Sequence, residues 1–179
     1  KYIGNLLRTY LLFDTGHSLL IIDQHAAQER ITFEILRKQI ESSKVEIQNM
    51  LTPLLLKLSP QELILWEETK ETLEKVGFET SLYDRETLAI HSHPQLITQP
   101  ETSVRNILAG EQTARLDPEK LARMACRSSV MAGFNMNKEQ ALYQREALLK
   151  AQDPFTCPHG RPTVVEVSQE SLRKQFLRT

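Results

Sequence analysis

The run Asp23-Gln24-His25-Ala26-Ala27-Gln28-Glu29 sets an acid, an imidazole and a second acid within seven residues. It follows Leu19-Leu20-Ile21-Ile22, an apolar run that reads as a buried strand, and it opens a helical pattern. A strand-to-helix junction is rigid and aims side chains into a cleft, which suits metal-dependent chemistry. Helix positions four apart share a face, so His25 and Glu29 can grip one ion while Asp23 leans into the same space. Glu34 lies nine residues beyond His25. At about 100° per residue that is near the opposite side of the wheel, so Glu34 is expected to support or face solvent, not to bind. Downstream, Cys157-Pro158-His159-Gly160-Arg161-Pro162 places a thiol and an imidazole two residues apart in a loop framed by Pro and Gly, and Ala125-Cys126-Arg127 carries the other cysteine. Thiolate with imidazole favours zinc, whereas carboxylate oxygens suit manganese or magnesium, so a mixed set permits two neighbouring ions.

At this level the plainer readings stay open. Asp23 could be the helix N-cap, and His25 with Glu29 a surface pair. Cys126, near Met124, Ala125 and Val130, could be a small buried hydrophobe. Cys157-Pro158-His159 could be a tight turn. No local spacing matches a zinc finger.

The elements that must position these groups can be read along the chain. Residues 2–13 and 18–22, separated by Asp14-Thr15-Gly16, read as a hairpin. A helix from about Gln24 to Ile40 follows, with Ile31, Phe33 and Ile35 as candidate core residues. Ser59-Pro60-Gln61-Glu62 is a capping box with Pro at the first helical position, and that helix stops at Gly77. Strand-like segments lie near 78–83 and 87–92, and 94–102 reads as a loop. Asp117-Pro118 opens another helix. Asn137 to Gln140 caps one that runs to about Lys150, Thr163 to Val167 is strand-like, and Ser168 caps a last helix. The fold class expected is α+β.

Apolar residues make up 40% and charged residues 25% of 179, a globular composition large enough for a proper core. No apolar run approaches the ~20 residues that span a bilayer. The start, Lys1-Tyr2-Ile3-Gly4, has neither an initiator Met nor a signal-peptide layout, and the chain reads as a fragment of a longer protein. Two cysteines without a secretory signal point to metal binding before a disulfide. With 22 Lys and Arg against 23 Asp and Glu, strong autonomous binding to nucleic acid is not expected. If DNA is the substrate, something else must deliver it.

Together these residues closely resemble the C-terminal domain of the MutL family of DNA mismatch-repair proteins, in its endonuclease-bearing form. The family pattern DQHA, two residues, E, four residues, E stands here as Asp23-Gln24-His25-Ala26, Glu29 and Glu34. ACR stands as Ala125-Cys126-Arg127, CPHGRP as Cys157 to Pro162, and the FxR ending as Phe176-Leu177-Arg178. The resemblance implies a homodimer with latent nicking activity on double-stranded DNA, metal-dependent and working with the other mismatch-repair proteins through an N-terminal ATPase region. It implies a cytoplasmic protein, associated with the nucleoid during repair, with no membrane partner. It implies a discontinuous dimerisation and metal-site lobe, 1–47 with 117–179, and an inserted regulatory lobe, 54–116. By position, Asp23, His25, Glu29, Cys126, Cys157 and His159 would form the metal site, with zinc bound and manganese, or magnesium, supporting catalysis. Asp23, His25 and Glu29 would be the catalytic members, and Glu34, Arg127, Arg161 and Arg178 supporting or phosphate-pairing residues.

Between the lobes, Gln48-Asn49-Met50-Leu51-Thr52-Pro53 resembles the peptide by which such domains dock on the replication sliding clamp, the beta subunit. Gln48 offers an amide to a polar rim, and Met50 and Leu51, with Pro53 beyond, offer apolar side chains to a pocket. Two departures stand out. Met131 occupies a position where a basic residue is common, and His91-Ser92-His93 sets two imidazoles on one face of a strand end expected to face solvent. The rival function is a non-catalytic dimerisation module with a structural zinc and a clamp-docking peptide.

Overall fold

The computed structural model describes residues 1–109, 118–126 and 135–177. The chain is α+β and divides into two compact units, residues 1–31 with 130–179, and residues 32–129.

The first unit is built on an antiparallel sheet in the order β1 (Tyr2–Leu6), β2 (Tyr10–Asp14), β3 (Ser18–Asp23), β7 (Val164–Ser168). The β2–β3 turn follows from its residues. Asp14 Oδ1 accepts from the Gly16 N–H at 2.7 Å, and Gly16 takes a φ of +90° that other residues avoid. The hairpin expected over 2–22 proves to be a three-stranded meander, because residues 2–13 turn back at 7–9. Leu7 and Arg8 both sit at φ +54° there. Nothing in their side chains announces such a turn, which normally calls for Gly or Asn. Alternation then sorts the sheet's two faces. Leu11, Phe13 and Ile22 point to a core closed by Ala27 and Ile31 of α1 (Gln24–Glu41) and by Ala141 and Leu148 of α5 (Lys138–Leu149). Leu12 pairs with Ile21 and Ile21 with Val165 on the other face, where Leu12 and Ile21 are half-buried and Val165 is exposed. Asn137 caps α5 in a box with Gln140, as expected from the sequence.

The second unit takes the rest of α1 and a sheet ordered β4 (Ile47–Lys57), β6 (Thr87–Pro94), β5 (Glu79–Leu82). Its core gathers Phe33 and Leu36 of α1, Leu56, Leu88 and Ile90 of the sheet, Trp66, Leu73 and Val76 of α2 (Pro60–Val76), Val104 and Ile107 of α3 (Pro100–Leu108), and Ala122 and Cys126 of α4 (Pro118–Cys126). The Trp66 indole N–H donates to Thr80 Oγ1 at 2.9 Å, so its polar edge is satisfied in the core. The loop read over 94–102 ends earlier than expected, because Pro100 opens α3 from the N1 position, where its missing N–H costs nothing. Gly77 ends α2 at φ +105°, and a Cβ there would lie 2.9 Å from Val45 Cγ1, so both conformation and space demand glycine. No described helix is long and apolar enough to cross a membrane.

The Ser59 capping box gives a measurable expectation. The Ser59 N–H bond to Glu62, opposed by partial burial and aided by the Ser59 hydroxyl and Arg105, holds the Glu62 carboxyl below the ordinary glutamate range. Ser59→Ala is expected to lower stability by about 1 kcal/mol in urea unfolding. A carboxylate with a depressed folded pKa stabilises above its unfolded pKa of about 4.3 and loses that contribution as pH falls through the folded value. The penalty of Glu62→Gln should therefore be present at neutral pH and fade in acid.

Candidate metal centre

The centre lies in the first unit, where α1 leaves β3. Asp23 ends the strand and caps the helix: its Oδ1 accepts from the N–H groups of His25 and Ala26, both at 2.9 Å. The plain reading of Asp23 as N-cap is thus realised, and the two bonds fix the carboxylate. Its own N–H donates to Thr163 O at 2.9 Å, which ties the strand end to the base of the loop that carries Cys157 and His159.

That loop is compact. Cys157 N–H donates to Arg161 O at 2.8 Å, Gly160 N–H to Cys157 O at 2.9 Å, and Thr156 bridges Pro162 across the loop. Gly160 at φ +82° permits the reversal. The loop is anchored to α1 by buried Arg30, whose Nε donates to Thr156 O at 2.6 Å and whose Nη2 lies 3.3 Å from Asp153 Oδ2.

These supports bring together Glu29, Cys157 and His159, whose ligand atoms all lie within 4.8 Å of one another. Glu29 is buried, with Oε2 at 3.2 Å from His159 Nδ1 and Oε1 at 3.2 Å from His25 Nε2. The pair His25–Glu29 is therefore formed at the expected i,i+4 spacing, but with Glu29 inside the protein. Burial alone would raise the Glu29 carboxyl. The His159 hydrogen bond and charge, the His25 charge and a Cys157 contact together outweigh it and hold the group below the ordinary glutamate value. The His159 backbone N–H points at Cys157 Sγ, 3.4 Å away, and holds the two ligand residues of the loop together. His25 Nδ1 is buried and meets no hydrogen-bond partner among the described residues. One thiol, one imidazole and one carboxylate, with a second imidazole touching the carboxylate, are a donor set that fits zinc.

The other sequence candidates fall as follows. Glu34 is buried and pairs with Arg37 Nη2 at 3.4 Å, a supporting place and not a solvent-facing one. Cys126 is buried in the core of the second unit. Arg161 is exposed. Arg127, Met131 and Arg178 lie outside the described residues. Gln48, Met50, Leu51 and Pro53 fall within β4, where the register to β6 shifts between Asn49 and Leu54, and Leu51 is fully exposed. The two strand histidines have separate partners. His91 Nε2 meets Ser81 Oγ at 2.8 Å, and His93 is buried with Nδ1 at 2.9 Å from Pro94 O, contrary to the solvent-facing end expected. Sequence reasoning missed Arg30, Gln24 and Gln144, which touch the ligand-bearing segments without belonging to any ligand spacing.

The class defined by this fold and site is an α+β domain that gathers a carboxylate, a thiol and an imidazole at a strand-to-helix junction. Residues 3–136 match the family described as the MutL C terminal dimerisation domain, and the chain belongs to that family. Similar proteins include the DNA mismatch repair protein MutL of Clostridium tetani (strain Massachusetts / E88), 34% identical over 186 residues covering 99% of this chain and 30% of the relative. Those of Clostridium acetobutylicum, 33% identical with 99% and 30% covered, and Clostridium botulinum (strain Langeland / NCTC 10281 / Type F), 32% identical with 99% and 28% covered, are comparably similar. The chain thus spans about 30% of the length of the curated relatives it matches.

Proposed function

We propose that this chain is the homodimerisation and DNA-nicking domain of a mismatch-repair MutL, acting in the cytoplasm on double-stranded DNA through a metal centre. The observation that carries the reading is the convergence of Glu29, Cys157 and His159, joined by His25, at the helix that Asp23 caps. A carboxylate stands among the ligands, as in catalytic zinc sites, whereas structural sites are mostly closed by thiolate and imidazole. The resemblance adds Cys126 to the ligands and manganese or magnesium as the ion that supports turnover.

The reaction adds water across one P–O bond of the backbone and leaves a nick. A divalent ion bound at the centre would lower the pKa of a water and offset charge on the phosphate. Glu29, kept ionised by His159 and His25, supplies the negative charge that holds such an ion. His159 and Cys157 are oriented by the loop that Arg30 anchors. Asp23, held by two amides as the cap of α1, is assigned by the resemblance the part closest to catalysis, taking up a proton or assisting a second ion. Arg161, exposed on the ligand loop, is suited to a phosphate oxygen, and the resemblance gives Arg127 and Arg178 the same part.

The test is nicking of supercoiled plasmid in manganese by wild type and Asp23→Asn. Conversion to open circles by the wild type alone supports the reading, and equal rates overturn it. A second reading, a dimerisation module with structural zinc, has one observation in its favour: Asp23 Oδ1 is already engaged as a helix cap. It predicts zinc without nicking.

The face of the first sheet turned away from that core, with Leu12, Ile21 and Val165, suits a second copy of the chain. The exposed bulge of β4 suits the sliding clamp. Leu51 is fully exposed, and clamp docking would deliver DNA to a domain whose charges nearly balance. Replacing Gln48 and Leu51 with Ala is expected to remove stimulation by the clamp while basal nicking and metal content stay unchanged. Stimulation that survives would assign the bulge another role.

A further inference from the structure

We infer that Gln144, a residue of α5 outside every motif named above, is a positioning residue for the metal centre. Its amide fixes the first turn of α1 in the orientation that brings Glu29 onto Cys157 and His159. This deepens the metal-centre reading and rests on it.

Gln144 is buried, and its Nε2 donates to Gln24 O at 2.9 Å and lies 3.2 Å from Gln28 Oε1. Gln24 stands between Asp23 and His25, and Gln28 directly precedes Glu29. One amide from the other end of the chain therefore grips both residues that flank the ligands of α1. Gln24 extends the connection. Its side-chain amide donates to Arg8 O, and its backbone N–H donates to Thr9 O at 3.0 Å. The turn at 7–9, the first turn of α1 and helix α5 are thus one hydrogen-bonded assembly. Leu7 and Arg8 hold left-handed conformations within it, a strain that persists only where the surroundings determine the backbone.

The other end of the same amide argues that packing is not its purpose. Gln144 Oε1 is buried and meets no donor among the described residues. A half-satisfied buried amide is less favourable than an apolar side chain of the same shape, so a residue serving only the α1–α5 contact would be better as Leu or Met. What Gln144 supplies and an apolar residue cannot is direction, imposed on the two residues beside the ligands. Groups that hydrogen-bond a metal ligand directly set affinity by about 10–100-fold, and Gln144, acting through the chain neighbours of the ligands, is expected at the lower end of that range.

The experiment titrates cobalt(II) into metal-free protein and follows the visible bands that thiolate and imidazole ligation produce, alongside thermal unfolding without metal. Gln144→Met keeps the length and removes both the donor and the unmet acceptor. Gln144→Glu also keeps the length and sets an oxygen against Gln24 O. Expected are a loss of cobalt affinity of about tenfold in Gln144→Met, with altered band positions, a larger loss in Gln144→Glu, and a thermal midpoint for Gln144→Met that is unchanged or raised. Wild-type affinity and spectrum in Gln144→Met would overturn the inference, and a lowered midpoint with unchanged affinity would mark Gln144 as packing alone. Cys157→Ser separates the two levels. If it abolishes the bands while Gln144→Met keeps them, only the role of Gln144 fails. If wild type binds cobalt no better than Cys157→Ser, the metal-centre reading fails as well.

Discussion

Replacing Glu29 with Gln is expected to weaken zinc binding by more than about 100-fold while leaving the fold intact, since even groups one contact removed from a metal cost about 10–100-fold. Glu29 is the hub of the centre: its two oxygens face two different imidazoles, and its charge is the one negative carboxylate in the group with Cys157 and His159. The amide of Gln keeps the shape and removes the charge. The same substitution should uncouple stability from metal. A ligand that binds only the folded state stabilises it by mass action, so a chelator should lower the thermal midpoint of the wild type and leave Glu29→Gln where it is. Isothermal titration with zinc, and melting with and without chelator, check both halves. Wild-type affinity in the variant would show that the cluster is an ordinary network of buried polar side chains.

Ile21→Glu is expected to turn a dimer into a monomer. Ile21 lies on the face turned away from the core, opposite Leu12 on one side and Val165 on the other, while Ile22 beside it points into the core. A glutamate there leaves the core untouched and puts two like charges into a two-fold interface. Losing one buried Ile is worth roughly 1.5–3 kcal/mol per copy, and the unpaired charges add to that. A loss of about 4 kcal/mol is already about 1,000-fold in Kd. Light scattering should report twice the chain mass for wild type and the chain mass for the variant, with circular dichroism unchanged. A wild type that is already monomeric would refute the assigned face.

What was legible in the sequence was what depends on local spacing. The helical period put His25 and Glu29 on one face, the Pro/Gly frame presented Cys157 with His159, and the capping boxes at Ser59 and Asn137 marked two helix starts that the structure has. The reversal at 7–9 was hidden because Leu7 and Arg8 adopt a conformation that only the surrounding hydrogen bonds make tenable. Strand β4 was hidden because Pro53 cannot join a ladder. It sits where the register to β6 shifts, so the strand passes through a residue that argues against it. Arg30 and Gln144 were out of reach for a different reason. Their partners lie more than a hundred residues away in the chain, at separations of 126 and 120, and no local pattern encodes such contacts. Of the two places open to Glu34, support or solvent, the helical wheel could not choose, because it fixes direction from the axis but not what lies in that direction. The side chain opposite His25 meets Arg37 and is covered.

The central claim is that Glu29, Cys157 and His159 hold one metal ion, and X-ray absorption at the zinc edge of the zinc-loaded chain tests it most directly. The prediction is a first coordination sphere with sulfur at about 2.3 Å and nitrogen or oxygen at about 2.0–2.1 Å, with the sulfur signal falling in Cys157→Ser. A sphere of light atoms alone, or a wild-type sulfur signal that Cys157→Ser leaves unchanged, would contradict it.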